Sequence, residues 1–92
     1  MAEVEWTDEA VRNLGLIVDY ISIFDPAAAL RMAQHLIDAS NSLRDFPHRG
    51  RLTPDGYREV PTVRPYVILY DVSDDRVSIL DSRHGARAPR LA

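Results

Sequence analysis

Residues 2–29, AEVEWTDEAVRNLGLIVDYISIFDPAAA, decide the fold. Ala2, Val4 and Trp6 alternate against Glu3 and Glu5, the period of two that a half-buried strand requires, so Ala2–Trp6 reads as a strand. Thr7 ends the alternation with a hydroxyl suited to cap a helix, and Asp8 and Glu9 then put carboxylates at the positive end of that helix. Val11, Leu14, Ile17, Val18, Ile21 and Phe24 recur at helical spacing and predict a helix over Asp8–Phe24. Asp25-Pro26 closes it and opens another, with Asp as the cap and Pro at the first helical position. Ala29, Leu30, Ala33, Leu36, Ile37 and Leu43 give this second helix an apolar face from Pro26 to about Asp45. With almost no chain between them, the two helices are expected to form a tight antiparallel hairpin.

Downstream, Phe46–Gly56 is rich in Pro, Gly and Arg and reads as an exposed loop. The period then becomes strand-like. Tyr57–Val60 is a short strand, and Arg64–Val72 a longer one whose β-branched and aromatic content suits a central place in a sheet. Ser73-Asp74-Asp75 is the turn into a strand over Arg76–Asp81. Ser82–Ala92 is polar and Arg-rich, a tail expected to fray from about residue 83. The expected fold is α+β, in the order β-α-α-β-β-β, with a helical hairpin packed on a mostly antiparallel sheet.

Ninety-two residues with 46% apolar and 27% charged content allow one small globular domain over residues 1–92. Cysteine is absent, so no disulfide or thiolate metal site reinforces the core. The stretch Leu14–Phe24 is too short and too interrupted to span a membrane, and no signal-peptide pattern opens the chain, so a cytoplasmic protein without membrane contact is expected.

On a helical wheel of about 100° per residue, Val11, Leu14, Ile17, Val18, Ile21 and Phe24 fill one arc of the first helix. Leu16, Tyr20 and Ile23 form a second row beside it. Either the second helix and the sheet share the task of covering both rows, or Leu16, Tyr20 and Ile23 form an exposed patch that receives another chain.

All 11 basic residues are arginine. Met1–Pro47 holds three Arg against eight Asp or Glu (−5) and His48–Ala92 eight against six (+2), which together make the net −3. The C-terminal half can therefore attract an anionic partner despite the acidic total. No phosphate-binding loop, dinucleotide glycine pattern or zinc-protease motif is present, and His35, His48 and His84 have no metal-site spacing, so no metal and no cofactor are expected. What remains is a basic cluster of Arg49, Arg51, Arg58, Arg64, Arg83, His84 and Arg87. It is either a solvated face with scattered ion pairs or a site for phosphate or carboxylate groups, which suit the planar guanidinium fork.

Several runs together resemble the RelE/ParE superfamily of toxins from type II toxin–antitoxin modules, and the ParE branch most. They are Val4–Ala10, the hairpin with Asp25–Ala29, the Phe46–Arg51 loop, Gly56–Val60, Pro65–Tyr70 and His84–Arg87. The match spans nearly the whole chain in order and implies the same β-α-α-β-β-β layout. RelE-type members cleave messenger RNA on the ribosome, which needs groups that activate the 2′-hydroxyl, stabilise developing charge and protonate the leaving oxygen. Here Arg58, Arg83 and His84 are the candidate ribonuclease groups. Val60 stands where a second basic residue is expected, and Val67 replaces the arginine of a Tyr-Arg-x-x-Tyr segment. The resemblance therefore implies a ParE-like toxin, of the kind that serves plasmid stabilisation, which inhibits DNA gyrase by binding.

The resemblance also implies a ParD-like antitoxin, whose C-terminal segment folds on the toxin and whose N-terminal domain carries all contact with operator DNA. Such a segment gains affinity even after an ordering cost of ~2–5 kcal/mol. Leu16, Tyr20, Ile23, Arg58 and Arg64 are the candidate antitoxin-binding residues, and Arg83, His84, Arg87 and Arg90 the candidate contacts to the target. The alternatives are a ribosome-dependent endoribonuclease and a degenerate toxin that acts only as an antitoxin-binding co-repressor.

Overall fold

The computed structural model describes residues 2–62 and 66–84, the last two by their backbone alone. Strand β1 (Glu3–Trp6) leads into helix α1 (Asp8–Phe24), followed after one residue by helix α2 (Pro26–Ser42). Strands β2 (Arg51–Leu52), β3 (Arg58–Pro61), β4 (Tyr66–Ser73) and β5 (Arg76–His84) complete the chain. The five strands form one sheet in the order β1-β5-β4-β3-β2. β1 runs parallel to β5, and the other neighbours pair antiparallel.

The caps read from sequence are in place. Thr7 Oγ1 accepts the Ala10 amide at 3.1 Å and donates to the Ile79 carbonyl at 2.9 Å, so a single hydroxyl starts α1 and pins it to β5. Asp25 Oδ1 accepts the Ala28 amide at 3.1 Å, and the Asp25 amide in turn donates to Ile21. That one extended residue ends α1 and caps α2, which is what permits so short a hairpin. Trp6 Nε1 donates to Ser40 Oγ at 3.2 Å and ties β1 to α2.

The core gathers Ala10, Leu36 and Leu43 from the helical layer against Val60, Ile68, Tyr70, Val77 and Ile79 from the sheet. These strand residues share one face by alternation, and register confirms it: Val60 lies opposite Ile68, and Tyr70 opposite Ile79. A bulge between Leu69 and Tyr70 leaves Leu80 as the extra residue of β5. At the β4–β5 turn Asp74 takes φ 56°, a left-handed conformation that Asp tolerates.

Several expectations need correction. Helix α2 ends at Ser42, not near Asp45; the Leu43 and Arg44 amides donate to Ser40 and Asn41, a tighter turn that finishes the helix early. Arg51–Leu52 is a short strand inside the expected loop, held by pairing with Glu59 and Arg58. β5 continues through Ser82, Arg83 and His84, opposite Ile68, Val67 and Tyr66, so the tail does not begin at Ser82 or Arg83. Val11 and Phe24 are exposed rather than core, as are Leu30 and Ile37 of α2. Phe24 belongs instead with Tyr20, whose ring it meets edge-on at 5.5 Å one helical turn away.

Candidate functional site

The helical hairpin leaves its second apolar row uncovered. Leu16, Tyr20 and Ile23 are all exposed, Ile23 to 76%, and Phe24 extends the row at the end of α1. The buried side of the same helix is carried by Ala10, with Leu14, Ile17 and Ile21 half-buried. The sheet and α2 thus cover only one of the two rows. An uncovered run of four large apolar side chains on one helix is the kind of surface that accepts a partner chain.

β5 adds to this neighbourhood. β1 pairs with Arg76–Ile79 of β5, and α1 packs against the same strand. Asn13 Nδ2 of α1 donates to Asp81 Oδ1 of β5 at 2.7 Å, fixing helix to strand at a buried carboxylate. Ser82 is buried next to it.

A second feature is a tethered arginine loop at the opposite end of the sheet. Tyr70, wholly buried in β4, uses its hydroxyl twice: it accepts the Gly50 amide at 2.9 Å and donates to the Pro47 carbonyl at 2.8 Å. From β3, Arg58 Nη1 donates to the Gly50 carbonyl at 2.8 Å and to the His48 carbonyl at 3.3 Å. Arg49 Nη1 donates to Ser42 Oγ at 2.7 Å, and Arg51 pairs with Glu59 at 2.9 Å. Pro47–Gly50 is therefore held from below by a phenol and from the side by a guanidinium.

The sequence-derived site residues do not converge. Arg58 stands opposite Tyr70 on β4, whereas Arg83 and His84 stand opposite Val67 and Tyr66 two strands away from β3. With ~3.3 Å per residue and ~4.8 Å per strand, the Arg58 and His84 backbones are about 16 Å apart. The Arg83 and His84 side chains, Arg64, Arg87 and Arg90 lie outside the described residues. Val60 faces the core and Val67 is half-buried in β4. Among the described residues no group of three His, Asp or Glu side chains is placed to hold a metal ion, and no helix is long and apolar enough to cross a membrane.

Two features escaped the sequence reading. One is the Tyr70 lock, whose signal was available: a tyrosine in a central strand must find a partner for its hydroxyl. The other is Asn13, an unremarkable polar residue on a helix whose carboxylate partner is 68 positions away in sequence.

An α+β layer of two helices on a five-stranded mixed sheet, with an uncovered apolar row on the first helix, is the architecture of the RelE/ParE class. The family of ParE toxins of the type II toxin–antitoxin system parDE matches residues 4–89. The chain belongs to that family and is a toxin of a type II module. It is similar to toxin RelE2 of Caulobacter vibrioides, 49% identical over 87 residues that make up 95% of this chain and 99% of the relative. A putative toxin of Sinorhizobium fredii, Y4kP, is 36% identical over 83 residues, 88% of this chain and 85% of that one. Among solved structures, a chain of the chromosomal ParDE toxin–antitoxin system from P. aeruginosa superposes with a TM-score of 0.79 at 25% identity, over 91% of this chain and 96% of its own length.

Proposed function

We propose that this chain inhibits DNA gyrase by binding it, in the cytoplasm, and that a ParD-like antitoxin silences it by covering Leu16, Tyr20 and Ile23. The observation that carries the first half is the engagement of Arg58. Its guanidinium donates to two loop carbonyls, and its backbone lies about 16 Å from that of His84. Val60 and Val67 stand where the resemblance to RelE-type ribonucleases leads cationic groups to be expected, and a valine neither transfers a proton nor stabilises an oxyanion. The antitoxin half is supported by the open α1 row and by the likeness to a chain of a ParDE system. A segment that folds on that row would bury its apolar side chains, with Arg64 among the contacts we assign to it, whereas Arg58, a candidate contact from sequence, is committed to the His48 and Gly50 carbonyls.

The test is to induce the protein in a sensitive bacterium and follow plasmid topology and individual transcripts together. Gyrase inhibition gives cleaved or relaxed plasmid and a DNA-damage response. Cuts within ribosome-bound messages would overturn the reading in favour of an endoribonuclease. Growth without any defect would point to a chain that only binds its antitoxin.

A further inference from the structure

Phe46 and Leu52 expose 66% and 60% of their surface on the side of the sheet where β2 forms the edge, and Tyr57 beside β3 is exposed as well. Leu52 sits in β2 opposite Arg58, while Phe46 opens the turn leading to it, with the Arg49 amide donating to the Phe46 carbonyl at 3.2 Å. This edge lies three strands from β5, the strand that α1 accompanies. An apolar side chain on a loop ordinarily loses conformational freedom when it binds, which weakens binding. Here the Tyr70 hydroxyl and the Arg58 guanidinium hold Pro47, His48 and Gly50 in place beforehand. A buried tyrosine and an inward-turned arginine thus fix the loop that carries Phe46.

Charge narrows the partner. Residues 44–52 carry Arg44, Arg49 and Arg51 against Asp45, a local positive excess in an acidic protein. Nucleic-acid binding draws on cations free to meet phosphates. In this loop Arg58 is turned inward, Arg49 is bonded to Ser42, and Arg51 shares its charge with Glu59. Apolar side chains flanked by two arginines, Arg51 paired with Glu59 and Arg49 held by a hydroxyl with its charge intact, have the composition of a protein-binding hot spot, and their complement is an apolar pocket with carboxylates on its rim.

We propose that Phe46 and Leu52, presented by the locked loop with Arg49 and Arg51 beside them, form a second protein-binding surface. It engages the toxin's cellular target through an apolar pocket rimmed by carboxylates. The proposal rests on the reading of the chain as a toxin that acts by binding. It is tested with the full chain carrying Phe46→Ala and Leu52→Ser together. Both side chains are exposed, so the thermal midpoint should stay at the wild-type value. Growth arrest on induction, and inhibition of supercoiling by purified gyrase, should fall by about tenfold or more. Leu30→Ala, an exposed apolar position on α2 outside either surface, should leave both activities in place. If the Phe46/Leu52 variant arrests growth as the wild type does, the proposal is overturned. It is also overturned if Arg49→Ala with Arg51→Ala abolishes arrest while the apolar pair is dispensable and the wild type binds nucleic acid in a salt-sensitive way, because the partner is then a nucleic acid. A wild-type chain that arrests nothing removes the target and the proposal with it. If the wild type arrests growth without touching gyrase, and the Phe46/Leu52 variant does not arrest it, the gyrase reading fails while the second surface stands.

Discussion

The Tyr70 hydroxyl accepts the Gly50 amide at 2.9 Å, and a Cβ added to Gly50 would lie 2.6 Å from that same oxygen. The two residues therefore define each other: the strand tyrosine closes the loop only because the loop residue has no side chain. Gly50 is required here by close approach. The added Cβ would also lie 2.9 Å from Tyr70 Cε1 and 2.9 Å from the Glu59 carbonyl, which is backbone and cannot swing away.

Replacing Gly50 by alanine should accordingly destabilise the fold by about 2–3 kcal/mol, as overpacking does. A domain of this size would lose roughly 10–20 °C of melting temperature. Tyr70→Phe should cost about 1–3 kcal/mol by leaving the Gly50 amide and the Pro47 carbonyl without their partner. In the double variant the clash with the hydroxyl is gone while that with the ring and with Glu59 remains, so the two losses should add to less than their sum. Denaturant unfolding of the four proteins gives this cycle directly, and strict additivity would show that the contact carries no energy.

The α1 row should behave in the opposite way. Alanine at Leu16, Tyr20 or Ile23 removes surface that is already in water, so the free toxin's stability should move by less than about 0.5 kcal/mol. Affinity for the antitoxin, measured by calorimetry on the purified pair, should fall by about tenfold or more for at least Tyr20 or Ile23. Leu36→Ala, in the core, should cost about 2–5 kcal/mol of stability. Antitoxin affinity that survives all three surface substitutions would remove the row from the interface.

The fold was legible because its signals are local. Thr7, Asp25 and Pro26 mark helix ends by chemistry that acts within three residues, and the strands after Tyr57 announce themselves by alternation. What was not legible depends on distant parts of the chain. The wheel of α1 shows two apolar rows, but which of them the sheet covers is decided by β5 and α2, and Phe24, an expected core residue, lies on the surface against Tyr20. β2 has only two residues and little pattern, and it exists because Arg58 and Glu59 stand opposite. For the site, the arginines were visible as a cluster, but not that Arg58 is committed to loop carbonyls.

Thr7 links two layers, and its removal should show both. Thr7→Ala deletes the cap of α1 and the hydroxyl's bond to Ile79, with an expected loss of about 1–2 kcal/mol. Thr7→Ser keeps both bonds and should recover most of it. Asp25→Ala removes only a cap and should cost about 1 kcal/mol. A Thr7→Ser variant as unstable as Thr7→Ala would mean that the methyl group, not the hydroxyl, matters.

Arg58 gives the sharpest division between a binding toxin and a ribonuclease, because the two assign its guanidinium to different work. As a loop tether, its replacement by alanine frees the His48 and Gly50 carbonyls, and its half-buried position implies a loss of about 1–3 kcal/mol. Both bonds leave the single Nη1, and lysine's shorter side chain places its ammonium nitrogen elsewhere, so Arg58→Lys should fall between alanine and wild type. Toxicity should then follow stability across the three proteins and recover for the alanine variant at lower temperature, where more of it is folded. A group acting on RNA would behave otherwise: Arg58→Ala would abolish toxicity at every temperature with the melting midpoint unchanged. Thermal melting and growth arrest measured on the same three proteins separate the two, and a fully stable, non-toxic Arg58→Ala would overturn the structural role assigned here.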